Sequence, residues 1–239
     1  MAQALLPSAY ALTNPVGGTK NSIDYAGYQV GPVAKGTVSL VGGTFPVPRN
    51  FCHKGSPGGF AEYVEGVKVG GGGESSFFQD GLVVEFGCNG NNLPFYILGY
   101  VNNTVQFTIL NKVVHGGDNV RGMLTINSHH LVTITINDLT RGWAFVASWH
   151  ERTSANTSAF WGIVDFPFGF TLPNFGNFKV SGVEATISGH KGAIGSFISN
   201  PSFIVTRYQM TDFSQRVKAF TSSLSSGSTG FSITWKSAT

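Results

Sequence analysis

Charge is what this 239-residue chain has least of. Asp, Glu, Lys and Arg together make up 11% of it, less than half the share usual in a globular protein. The 15 basic and 12 acidic residues leave a net +3, and no run of Lys and Arg forms the stripe that tracks a phosphate backbone, so a nucleic-acid partner is not expected. No apolar run approaches the roughly 18 residues of a membrane-spanning helix, so no membrane partner is expected either. Met1 to Pro7 has no basic segment ahead of its short apolar run and does not read as a secretory leader. As the sequence stands the expected compartment is the cytoplasm, or the exterior if a leader has been removed. Cys52 and Cys88 are the only cysteines, too few for a disulfide scaffold, and can be one bridge or two buried thiols.

Motifs for common chemistries are also missing. His53, His115, His129, His130, His150 and His190 pair with no other ligand at metal spacing, and the adjacent His129 and His130 would face opposite sides of a strand. No metal or cofactor is expected. Gly70-Gly71-Gly72-Gly73 lacks the Lys-Ser/Thr and the helix of a phosphate-binding loop, and no Gly-x-Ser-x-Gly elbow occurs. Asn102-Asn103-Thr104 and Asn156-Thr157-Ser158 fit the glycosylation pattern, which matters only in a secreted chain.

What the chain does have is 32 Gly, 13% aromatics and 41% apolar residues, enough to build a core. Short strand-like runs alternate with Gly- and Ser-rich punctuation. They include 37–40, 81–86, 104–110, 123–126, 131–136, 143–148, 178–181, 203–208 and 230–235. In Leu131 to Ile136 the residues Val132, Ile134 and Ile136 share one face and two threonines the other, which describes a half-buried strand. Asn137 to Gly142 supplies the turn into Trp143-Ala144-Phe145-Val146, predicting a hairpin. No window of a dozen residues has helical periodicity. The expectation is an all-β, antiparallel β-sandwich of two packed sheets, concanavalin-like or jelly-roll in type. An N-terminal extension over 1–21 precedes a single domain over 22–239.

Several segments, taken in order from Asp24 to Trp235, resemble the eqolisins, the glutamic peptidases of fungi. They are Asp24-Tyr25-Ala26-Gly27, the strand Val41 to Pro48 ending in Val-Pro, the hairpin Ile136 to Gly142, and Leu172-Pro173-Asn174-Phe175-Gly176 with Val180-Ser181-Gly182. The resemblance implies a sandwich with a peptide-binding groove, in which a Glu activates water and a Gln amide positions it and stabilises the oxyanion. Phe77-Phe78-Gln79-Asp80-Gly81 is similar to the family's Gln strand and makes Gln79 the matching catalytic residue. The family's Glu strand, Ala-Glu-Trp-Ile-Val-Glu-Asp-Phe, is matched by Ala159 to Phe166 with Phe160 in place of the Glu. A phenyl ring accepts no proton. Asp165 lies an odd number of residues from Phe160 and so faces the other side of a regular strand. Glu85 shares parity with Gln79 but is about 20 Å along the strand.

Tyr63, Phe95, Tyr96, Phe160 and Trp161 would then give that groove an aromatic lining, or else fill the core between the sheets. Glu65 is the one carboxylate that enters the groove, or else a surface residue. The expected function is an eqolisin-like protein without peptidase activity that binds a peptide, a carbohydrate or a small apolar ligand. The alternatives are an active acid endopeptidase using Gln79 with a displaced carboxylate such as Glu65 or Asp165, and a non-hydrolytic enzyme reusing the groove. For a carbohydrate, Trp143 or Trp149 would be the platform.

Overall fold

The computed structural model describes residues 17–34, 36–52, 59–69, 78–89, 91–102, 107–150, 156–165 and 171–238. Gly70–Gly73, His53 and Asn103-Thr104 lie outside them. The first half of the chain contributes β1 (Gly17–Ser22), β2 (Tyr25–Pro32), β3 (Val38–Pro46), β4 (Gly59–Val69), β5 (Phe78–Cys88), β6 (Pro94–Val101), β7 (Phe107–Ile109) and β8 (Asn119–Ile126). The second half contributes β9 (Leu131–Asp138), β10 (Trp143–His150), β11 (Asn156–Asp165), β12 (Asn177–Ile187), β13 (His190–Ala193), α1 (Ile194–Ile198), β14 (Phe203–Thr211), β15 (Val217–Thr221) and β16 (Gly230–Trp235).

Hydrogen bonding runs without a break in the order β10-β9-β8-β3-β12-β16-β15-β14-β2-β11-β4-β5-β6-β7. The path folds over on itself: β3 packs across β4 and β11, and β8 and β9 pack across β5. The result is two facing layers, β10 to β16 and β14 to β7, with β15 at the bend. All pairs along this path are antiparallel; β1 adds to β14 in parallel. Residues 17–21, which the sequence assigns to the extension, are therefore part of the sheet. The only described helix is α1, five residues long, and no described helix is long and apolar enough to cross a membrane.

Alternation explains the strands. In β9 every second residue is buried, with Val132, Ile134 and Ile136 at 0% exposure, and Gly142 at φ +73° closes the hairpin into β10. β10 turns Trp143, Phe145, Ala147 and Trp149 toward the core. Trp149 stacks on Tyr100 of β6 at 5.2 Å and donates from Nε1 to Asp80 Oδ1 at 2.7 Å, so this tryptophan is not an open platform for a sugar. His129 and His130 fall in the turn between β8 and β9, not on a strand, because Asn127 accepts the backbone N–H groups of His129 and Leu131 and closes the turn. Cys52 and Cys88 are bridged, which ties the segment after β3 to the end of β5. Asp165, at the end of β11, forms a buried ion pair with Lys218 of β15.

Candidate functional site

The strands carrying the expected site residues lie side by side, so register decides which face each side chain takes. β11 pairs with β4 without a bulge from Ser158 to Asp165. Trp161 stands opposite Glu65, Ile163 opposite Tyr63, Phe160 opposite Gly66 and Gly162 opposite Val64. On the far side of β4, Glu65 is opposite Leu82, Val64 opposite Val83 and Glu62 opposite Glu85. One face of this sheet therefore holds Trp161, Tyr63, Glu65 and Leu82, and the other holds Phe160, Val64, Val83, Glu62 and Glu85.

The first of these faces is the interior of the sandwich. Trp161 is fully buried and donates from Nε1 to the carbonyl of Gly42 on β3 at 3.1 Å. The Tyr63 ring lies 4.2 Å from Phe45 and 4.9 Å from Phe178, both on the opposite layer. Glu65 is neither a groove nor a surface residue: it is 2% exposed, because strand parity holds it on Tyr63's side of β4 and that side is the core. Its carboxyl lies against two glycines of the facing layer. A Cβ on Gly43 would come 2.7 Å from Oε2, and one on Gly122 would come 2.7 Å from Oε1. Gly43 and Gly122 are themselves cross-strand partners, so their missing side chains leave one slot that the carboxyl fills. The Tyr63 hydroxyl donates to Oε2 at 3.3 Å. Burial pushes the Glu65 carboxyl up to about 8, against the opposing pull of the Tyr63 hydroxyl, the Gly43 N–H and the Arg121 charge. Burial likewise raises the Tyr63 phenol well above its ordinary value, with Glu65 adding to it. Near neutrality this group is a protonated acid.

The outward face has a different character. Phe160 is 2% exposed and packs on Val64 and Val83, with Tyr25, Val101, Phe107 and Val164 around them. Tyr25 meets Phe160 edge-on at 6.2 Å and donates its hydroxyl to the carbonyls of Trp161 at 2.9 Å and Tyr28 at 3.0 Å. That position of Tyr25 needs Gly162, where a Cβ would fall 2.4 Å from the ring. Farther along the same face Glu62 and Glu85 stand directly opposite each other. Burial, then the charge of Glu85, pushes Glu62 up to about 7, and burial raises Glu85 as well. Four residues of β4 separate Glu62 from Gly66, the partner of Phe160, which is about 13 Å of strand.

The two β6 residues also divide. Phe95 is outward, opposite Gly87, whereas Tyr96 is opposite the core residue Phe86 and its hydroxyl accepts the N–H of Asn50 at 3.3 Å. Gln79 belongs to β5 where the register with β4 shifts, between Asp80 opposite Val67 and Phe78 opposite Lys68; its side chain lies outside the described residues. Asp165 faces the interior and is buried. The structure thus brings Tyr63, Glu65 and Trp161 together inside the sandwich, and puts Phe160 and Phe95 on the outer face. Glu62 was missed by sequence reasoning, although its even spacing from Val64 and Gly66 marks it as sharing their face. Among the described residues no three His, Cys, Asp or Glu side chains converge to hold a metal ion.

The sequence profile of the Peptidase A4 family matches residues 24–235. The chain belongs to that family. No curated protein matches it. As an A4 family member it shares its fold with scytalido-glutamic peptidase, solved with a peptide-based transition state analogue, at TM-score 0.65 and 16% identity over 90% of this chain and 99% of that one. SCP-B, a member of the eqolisin family solved with the tripeptide Ala-Ile-His, superposes at TM-score 0.63 and 16% identity over the same shares. Aspergilloglutamic peptidase from Aspergillus niger gives 0.55 and 17% identity over 74% of this chain and 98% of that one. At these identities the likeness is one of fold, and the A4 assignment rests on the family profile.

Proposed function

We propose that this A4 family member binds a peptide on the outward face of the β2-β11-β4-β5-β6 sheet without hydrolysing it. The observation that carries the reading is Phe160. It stands where the resemblance puts the family's general-base Glu, and it is packed into hydrocarbon with Val64 and Val83. Such a position neither orients a water nor takes its proton. Glu65 and Asp165 offer no replacement, since both face the interior. A peptide is favoured over a carbohydrate because the relatives of the same fold are peptidases held with peptide-like ligands. The part-exposed surface on this face runs from Tyr25 and Gln29 on β2 past Glu62 and Glu85 to Phe95 and Ile97 on β6.

A second reading rests on Glu62 and Glu85. Two opposed carboxyl groups with raised proton affinity on the outer face could share a proton and serve acid chemistry, making the chain an acid endopeptidase with a displaced acid. One experiment separates the two. Cleavage of a denatured protein is followed by mass spectrometry from pH 2 to 8 for wild type, Phe160→Glu, Gln79→Ala and Glu62→Gln. The binding reading expects an inert wild type and acid cleavage gained by Phe160→Glu. A wild type that cuts, and that loses cutting in Glu62→Gln, refutes it in favour of the second.

A further inference from the structure

At the end of the sandwich, away from the outward face, a cavity of about 300 Å³ is lined by Pro46, Val47, Pro48, Arg49, Phe51, Gly117, Phe175, Asn177 and Phe178. We infer that it is a binding site for a small apolar monocarboxylic acid, with Arg49 as the cation that receives the carboxylate. The site does not depend on the peptide-binding reading, because none of its residues belongs to the sheet face that carries Phe160.

The walls are mostly carbon. Pro46 and Pro48 have no backbone N–H. Three further backbone donors are already in use: Val47 N–H bonds Asp118 O at 2.7 Å, Gly117 N–H bonds Val47 O at 2.8 Å and Phe51 N–H bonds Asn174 O at 2.9 Å. Asn177 Oδ1 accepts from Thr234 at 3.3 Å. Phe175 and Phe178 are buried and form the apolar base, and Phe51, 58% exposed, forms a wall open to solvent.

The guanidinium of Arg49 is seated at this cavity by Gly117. At φ +98° Gly117 takes a left-handed conformation, and a Cβ there would come 2.6 Å from Nε and 2.7 Å from Nη2 of Arg49. Without a Cβ on Gly117 the Nε–Nη2 edge of the guanidinium can approach the backbone. Asp118, the neighbouring acid, is committed elsewhere: its Oδ2 accepts from Arg141 Nε at 2.5 Å and from the His115 N–H at 2.9 Å. Its burial is outweighed by these bonds and by the Arg141 charge, which hold its carboxyl below the usual range. No salt bridge to Arg49 forms among the described residues.

A lone guanidinium beside hydrocarbon, with the local acid already engaged, complements one carboxylate on an apolar body. A guanidinium presents a planar pair of N–H groups that match a carboxylate's two oxygens. The volume is at the small end of ligand sites, which limits the body to about the size of one ring.

The test is calorimetric titration of the full chain with benzoate and, separately, with benzyl alcohol, for wild type and Arg49→Met, with amide chemical-shift mapping of the benzoate complex. Arg49 is exposed, so the variant keeps its fold, and a melting curve checks this. The expected result is saturable benzoate binding at least tenfold tighter than benzyl alcohol, with that preference gone in Arg49→Met and shifts centred on residues 46–51 and 175–178. Three results overturn the proposal: no saturable benzoate binding, equal binding of the alcohol, or shifts centred on Phe160 and its neighbours.

Discussion

Replacing Glu65 by Gln should make the protein less sensitive to pH between about 4.5 and 8. The folded carboxyl titrates at about 8, against an ordinary value of 4.5, because it is buried in the slot below Gly43 and Gly122. A carboxyl raised in the folded state is protonated there while the unfolded chain has already released its proton. Its stabilising contribution is complete below pH 4.5, falls as the pH rises, and is gone above pH 8. Each unit of difference is worth about 1.4 kcal/mol, so the span of roughly 3.5 units corresponds to about 5 kcal/mol. That is a large part of the roughly 5–15 kcal/mol that holds a domain folded.

Glutamine has nearly the shape of protonated glutamic acid and does not titrate. Urea unfolding at pH 4, 6 and 8, fitted for wild type and Glu65→Gln, isolates this one group in the difference between the two, since Glu62 and all other acids are common to both. The difference should move in favour of the variant by more than 3 kcal/mol between pH 4 and pH 8. A difference that stays flat over that range would show that Glu65 is ionised in the fold, or not confined to the slot, and the assignment of the inward face of β4 would fall with it.

The slot itself is tested by Gly43→Ala, whose Cβ meets Oε2 at 2.7 Å; the overpacking should cost about 1–3 kcal/mol in urea unfolding and much less in a Glu65→Ala background. Glu85→Gln removes the charge that adds to the burial of Glu62, so the Glu62 titration followed by carbon NMR should move down from about 7 toward its ordinary range. Exchanging both Cys52 and Cys88 for Ser opens a loop between cysteines 36 positions apart and should lower stability by about 4 kcal/mol by the loop-entropy relation, read from denaturation midpoints with and without reductant. Lys218→Met leaves the buried Asp165 carboxylate without its ammonium and should cost about 3–5 kcal/mol at pH 7, with most of the loss recovered in the double variant Asp165→Asn, Lys218→Met.

The sandwich was legible because its signal is local. Val132, Ile134 and Ile136 alternate within six residues, Gly142 marks the turn, and the same grammar recurs along the chain. Elements without that alternation were harder to read. β4 and β11 are buried on both faces over most of their length, so Val64 and Tyr63, or Phe160 and Trp161, are apolar neighbours with no period to expose. Parity correctly put Asp165 opposite to Phe160, and Tyr63 with Glu65. It could not say which of the two faces was the inner one, because that depends on Gly43 and Gly122, distant in sequence, meeting Glu65 across the layers.

The same limit separates fold from chemistry in this A4 family member. A strand lying between two packed surfaces tolerates exchange of one apolar side chain for another, so a sheet can keep its register while its outer face is rewritten. Phe160 and Trp161 show this division within two neighbouring residues. The indole, bonded to the Gly42 carbonyl, fixes β11 against β3, while the residue next to it turns outward onto Val64 and Val83. Interior contacts of the Trp161 kind hold the architecture whatever the outer face carries. Function therefore has to be read from the outward residues of the same strands. Glu62, Glu85 and Phe95 are the ones that a ligand on that face would meet.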